Sequence, residues 1–242
     1  MRHSVILAVM AAFSAVSPAA ASPYDPESSP QGHIPTLMRD IYRNPEVAKA
    51  AIAADQDFVA GMRTHHQGAV TMARAYLAGP AGNHPLIRKL ANAIIANQEF
   101  EIVLLDDVGQ KIQVPPRQIA GGWVSRQMGW DGLEHTWRFV KSPPPGFLDL
   151  WLDGTAMGEE EVRFAKGMII HHQAAVDMAR AYNANPAADN RILKALNRDI
   201  VVDQRYEIRL LERLIDRYPG NADTIVVDPA TVPGMPHHGG MH

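Results

Sequence analysis

Apolar and polar positions alternate with a helical period through two long parts of this chain, and the two parts are nearly copies. In "FVAGMRTHHQGAVTMARAY", which starts at Phe58, the residues Phe58, Met62, His65, Ala69, Met72 and Tyr76 share one stripe of a helical wheel, with His66 and Ala73 on its flank. In "FAKGMIIHHQAAVDMARAY", which starts at Phe164, the stripe returns as Phe164, Met168, His171, Ala175, Met178 and Tyr182. A second apolar stripe, Leu90, Ile94, Ile102 and Leu105, recurs at the same offset as Leu196, Ile200, Ile208 and Leu211. Agreement over this length reads as duplication of one supersecondary unit.

Each copy is expected to be a helical hairpin. The first helix should run from Pro45 or Asp55 to Tyr76, with Asn44 as cap and Pro45 in the first turn. Breaker-rich turns follow, "AGPAGNHP" in one copy and "NANPAADN" in the other. The second helices are expected from about Leu86 to Val108 and from about Ile192 to Tyr218. One hairpin cannot bury its own apolar stripe, whereas two together can, so an all-α four-helix bundle is the economical solution.

Between the copies, the chain changes character. The stretch with "VPP", "GG" and "PPP" holds Trp123, Trp130, Trp137 and Trp151, and short helices are expected near Glu134 to Val140 and Phe147 to Leu152. Such a tryptophan-rich segment reads as an ordered crossover packed on the bundle. The expected organisation is an export signal at 1–21, a loose segment at 22–34, hairpins at 35–108 and 156–219, the crossover at 109–155, and a flexible tail at 220–242.

The signal reading rests on Arg2, the apolar run from Val5 to Val16 and the small residues Ala19 to Ala21, which together predict export with cleavage after Ala21. That run is too short to span a bilayer, and no later stretch approaches roughly 18 uninterrupted apolar residues, so no membrane insertion is expected after cleavage. A formal charge of −3 gives no basic footprint for nucleic acid. The absence of cysteine excludes disulfides, thiolate ligands and thiol nucleophiles. No Gly-x-Ser-x-Gly element marks a serine nucleophile.

What remains is an inward polar set. Gln98 and Glu101 share the apolar face of the second helix, as do Gln204 and Glu207, so they should meet the histidines inside the bundle. A methionine on such a stripe is usually core filler, and a lone inward histidine is usually a hydrogen-bonded core residue. Two imidazoles and two thioethers within a few helical turns, written twice, are more costly to bury and form a ligand set. Met62, His65, His66 and Met72, with Met168, His171, His172 and Met178, are therefore the candidate metal ligands, and Glu101 and Glu207 could join them. Thioether with imidazole and no thiolate favours Cu(I), with Ag(I) as its mimic, over Zn(II); Cu(II) could use the histidines with the glutamates. The tail "PGMPHHGGMH" adds Met235, His237, His238, Met241 and His242 as a candidate capture segment. One shared site and two separate ones both remain open.

The quoted motifs, each followed by the Gln and Glu-Ile pattern near Gln98 and Gln204, resemble the domain of unknown function 305 family. The resemblance implies a ferritin-like bundle and, for characterised members, copper binding in the periplasm or outside the cell that supports copper tolerance. A copper exporter or chaperone would then be the natural delivery partner. Two other functions compete. A di-iron oxidoreductase would need Glu-x-x-His pairs that the repeats lack. A metal-free interaction bundle would use the polar core for packing specificity alone.

Overall fold

A computed structural model describes residues 45–80, 82–112, 117–119, 124–126, 141–188 and 190–235. All of these fall in the unit Arg43–His242. The expected export signal, the residues before Pro45, Trp123, Trp130, Trp137, the short helix foreseen near Glu134, and His237, His238, Met241 and His242 lie outside the described residues.

The helices fall where the periodicity placed them, the first hairpin's running a few residues longer and the last ending at Ile215, short of the expected Tyr218. Helix α1 spans Pro45–Ala78 and α2 spans Pro85–Ile112; α4 spans Glu159–Ala184 and α5 spans Arg191–Ile215. Between the hairpins lie strands β1 (Arg117–Ile119) and β2 (Val124–Arg126), paired antiparallel, then the short helix α3 (Phe147–Leu152). The strand pair was not foreseen, because three-residue strands carry too little alternation to read.

Local chemistry starts both helices of the second hairpin. Glu161 reaches back to the Gly158 N–H, and Glu159, Glu160 and Glu161 place negative charge on the first turn of α4. Asn190 caps α5 by accepting from Ile192 and Leu193 N–H groups.

Each hairpin packs tightest within itself, and the two meet chiefly through α1 and α4 and less through α2 and α5. Helices α1 and α4 run antiparallel: Phe58 stacks on Tyr182 near one end of the pair, and Tyr76 on Phe164 near the other. The same pseudo-symmetry places the Tyr182 hydroxyl on Asp55 and the Tyr76 hydroxyl near Glu161.

The crossover reading needs correction in one respect. Its described part is pinned to the bundle: Asn97 exchanges two hydrogen bonds with the Ser142 backbone, Tyr206 donates to the Pro145 carbonyl, and Arg217 donates to the Leu150 and Asp153 carbonyls. Leu150 and Met157 enter the core. Trp151, however, is 70% exposed, so it adds little to that docking.

The tail also departs from expectation. It is not loose from Ala222 onward. Residues 222–235 form two 3₁₀ turns, each capped by an Asn or Asp side chain, and they bury Ile225 and Val232. The turns carry their own capping chemistry, which a helix-period reading passes over.

Candidate functional site

The core is divided in two. One apolar cluster gathers Ala69, Ala73, Leu90, Ile94, Met168 and Leu211, and the other gathers Met62, Leu105, Ala175, Ala179, Leu193 and Ile200. Along every long helix the residues between the two clusters are polar: His65 and His66 on α1, Gln98 and Glu101 on α2, His171 and His172 on α4, Gln204 and Glu207 on α5. All eight are buried, the four histidines completely. The periodic stripes thus build a polar layer across the middle of an apolar bundle.

At its centre the two copies touch. His65 Nδ1 lies 2.7 Å from His171 Nε2, and His171 Nε2 also lies 2.9 Å from the His65 carbonyl oxygen. A carbonyl can only accept, so His171 Nε2 carries the proton and His65 Nδ1 accepts it as well. This tautomer leaves a lone pair on His171 Nδ1, which has no protein partner, and His65 Nε2 is equally unpartnered. Burial, and then the neighbouring His66, holds the His65 imidazole down to about 4. Burial and then His65 push His171 down in the same direction. Both rings are therefore neutral at pH 7, the state in which an imidazole binds metal.

The second histidine of each motif turns away from the pair. His66 Nε2 lies 2.8 Å from Glu101 Oε2, and His172 Nε2 lies 2.7 Å from Glu207 Oε2, the latter out of line for a hydrogen bond. These histidine–carboxylate contacts join the two helices of each hairpin. They also change the role expected of the glutamates: each is held by its own histidine rather than shared at the centre. The symmetry breaks at Lys141, which comes from the crossover to lie 3.6 Å from Glu101 and pairs with Asp203. Burial alone would lower the Lys141 ammonium, but Glu101 and Asp203 outweigh it and raise it. No helical periodicity could have placed Lys141 there.

Met62 and Met168 are completely buried, one helical turn before His65 and His171. Met72 and Met178 do not lie beside the histidines of their own helix. The methyl end of Met72 fills the space a Cβ at Gly167 would need, and that of Met178 does the same at Gly61. Each glycine precedes the opposite copy's histidine by one turn, so Met72 and Met178 pack across the α1–α4 seam about one turn along from the pair. The repeated "GM" was a readable signal for this contact, since a glycine retained in two helices needs a packing reason. Met235 follows Gly234, whose backbone lies against the Thr64 and His65 carbonyls.

The donor chemistry fits a soft ion. Two imidazoles meet with a methionine one turn before each along its helix, and unpartnered atoms on His65, His66, Gln98, His171, His172 and Gln204 are concentrated in one layer. Buried polar atoms normally find partners, so this concentration calls for an explanation. Among the described residues, no three His, Cys, Asp or Glu side chains come together to hold an ion. A set made of imidazole and carboxylate alone is therefore not what this layer offers.

The depressed histidines also make a prediction for metal-free protein. The unfolded imidazole titrates near 6.5, while native His65 resists protonation until about pH 4. Stability from this group is full above pH 6.5 and is lost as pH falls toward 4, because the unfolded chain binds the proton first. The expected loss is on the order of 3 kcal/mol from His65, and His171 adds in the same sense. Urea unfolding at about pH 7.5 and about pH 4.5 checks it, and His65→Leu together with His171→Leu should flatten the difference.

Comparison with known proteins adds one match. The family described as a domain of unknown function (DUF305) matches residues 11–108 and 152–216, more than half of the chain, and omits most of the crossover. No curated protein and no solved structure gives a significant match. No helix among the described residues is long and apolar enough to cross a membrane.

Proposed function

The chain belongs to the family described as a domain of unknown function (DUF305), and from that membership and the paired centre we propose that it is an exported copper-binding protein. It sequesters or shuttles Cu(I), with Ag(I) as its mimic, in support of copper tolerance. The observation that carries this reading is the neutral, buried His65–His171 pair, with an unpartnered nitrogen on each ring and the buried Met62 and Met168 one turn away along their helices.

Ligand softness decides the ion. Neutral thioethers and imidazoles hold Cu(I) without an oxidisable thiol, which suits an oxidising compartment. Binding has a defined cost. Two nitrogens each about 2 Å from one ion stand roughly 3.3 Å apart in a tetrahedral site and about 4 Å apart when collinear. The present separation is 2.7 Å, so an ion shared between these two atoms must part them. An ion on the two outward nitrogens instead moves the His65 proton to Nδ1, which sets two N–H groups against each other. Either way, the imidazole–imidazole bond is exchanged for metal bonds. His66 and His172 keep Glu101 and Glu207 and hold the helices in register while this happens.

The di-iron alternative is disfavoured because each buried glutamate is committed to a histidine of its own hairpin. The test is thermal unfolding of the mature chain with Cu(I), Ag(I) or chelator. A ligand that binds only the native state at about 100 times its Kd adds about 2.7 kcal/mol, a shift of several degrees. Identical melts in all conditions would make the layer a metal-free device for packing specificity.

A further inference from the structure

The C-terminal segment crosses the one face of the bundle where the two histidine helices meet. Lys166 on α4 donates to the Ala222 carbonyl at 2.7 Å, Ile225 and Val232 are buried, and the chain then reaches α1 at Gly68. There, a Cβ at position 68 would stand 2.2 Å from the Pro233 carbonyl oxygen. Gly234 has φ +76°, a conformation that favours glycine, and a Cβ on it would meet the His65 carbonyl at 2.8 Å. Two glycines are thus needed for backbone to lie on backbone, one turn from His65.

The repeat shows that this contact is not a requirement of the helix. Gly68 corresponds to Ala174 in the second copy, and alanine is the better helix residue. The first copy has the weaker residue where the strap lands.

The strap is seated unevenly. A cleft of about 690 Å³ opens between it and the helices, lined by Met72, Tyr76, Phe164, Gly167, Val227 and Pro233. A second gap of about 350 Å³ lies between the strap and α4 near Ile169 and Ile170. Met72 and Gly167 floor the cleft, and Gly167 is one turn from His171, just as Gly68 is one turn from His65. Few anchors, with gaps on either side, describe a segment that can open locally without unfolding the bundle.

We infer that residues 222–235 are a gate, and that the cleft at Met72 and Gly167 is the entrance to the His65–His171 centre for a small soft cation. The gate rests on the geometry of the strap; the identity of the cation rests on the function proposed above. Met72 is then the first thioether an entering ion meets, and Met168 and His171 lie behind it.

Gly68→Ala tests this with little risk to the fold, since it installs the residue that the second copy carries. The full chain and the variant are treated with diethyl pyrocarbonate, and modification of His65 and His171 is followed by mass spectrometry, with hydrogen exchange over 225–235 in parallel. The variant is expected to lose strap protection and to react at both histidines about tenfold faster, while Ala174→Gly does neither. Faster exchange in the strap with unchanged histidine reactivity overturns the gate. If Gly68→Ala leaves the strap protected, a chain ending at Asn221 decides, by the same reactivity. Cu(I) loading should be faster in the opened variant with unchanged affinity. Failure of every form to bind Cu(I) would remove the proposed function, while the reactivity result still judges the gate.

Discussion

Replacing His65 and His171 together by leucine is expected to weaken Cu(I) binding by more than about a hundredfold without unfolding the bundle. Changes merely adjacent to metal ligands typically cost about 10- to 100-fold, so losing two imidazole ligands should exceed that. The double replacement separates ligand loss from structural damage. The two rings bond to each other at 2.7 Å, and removing both partners of a buried polar pair in favour of apolar groups of similar size is nearly neutral or stabilising. The metal-free variant should therefore melt no lower than the parent, while the copper-induced shift disappears. Competition against a coloured Cu(I) chelator measures the affinity. Parental affinity in the double variant would assign the metal to other residues.

Glu207→Ala is expected to cost about 1–3 kcal/mol of stability, because it leaves the buried His172 facing a cavity in place of its carboxylate. Against a typical total of about 5–15 kcal/mol, that is a large share. Glu207→Gln should recover part of the loss, since it keeps the side-chain volume and a polar oxygen facing His172. The two residues are almost wholly buried, so solvent screening does little to soften the effect. Urea unfolding at neutral pH reads it from the midpoint at constant slope. A loss below about 1 kcal/mol would show that the contact behaves like an exposed pair.

The paired stripes were legible because burial on a helix leaves a 3.6-residue signature, and duplication wrote it twice. Phe58, Met62, His65, Ala69 and Tyr76 and their counterparts all lie buried, as the wheel placed them. That Gln98, Glu101, Gln204 and Glu207 point inward followed from the same periodicity. Which polar group would meet which did not. The His65–His171 contact depends on how far α1 and α4 slide past each other, and that is set by Met72 on Gly167 and Met178 on Gly61. Such packing between copies has no period within either helix. Lys141 and the strap were hidden for a related reason. Both arrive from irregular backbone, where position is fixed by single contacts such as Asn97 with Ser142 and Gly68 with Pro233. The tail's packing rests on Ile225 and Val232, two buried apolar residues in a segment with no helical period.

The most direct measurement is X-ray absorption on the full chain loaded with one equivalent of Cu(I), beside His65→Leu/His171→Leu treated alike. The predicted parent spectrum combines imidazole nitrogen near about 2.0 Å with thioether sulfur near about 2.3 Å, and the variant loses the nitrogen contribution. A nitrogen contribution that persists unchanged in the variant would contradict a copper centre at the paired histidines.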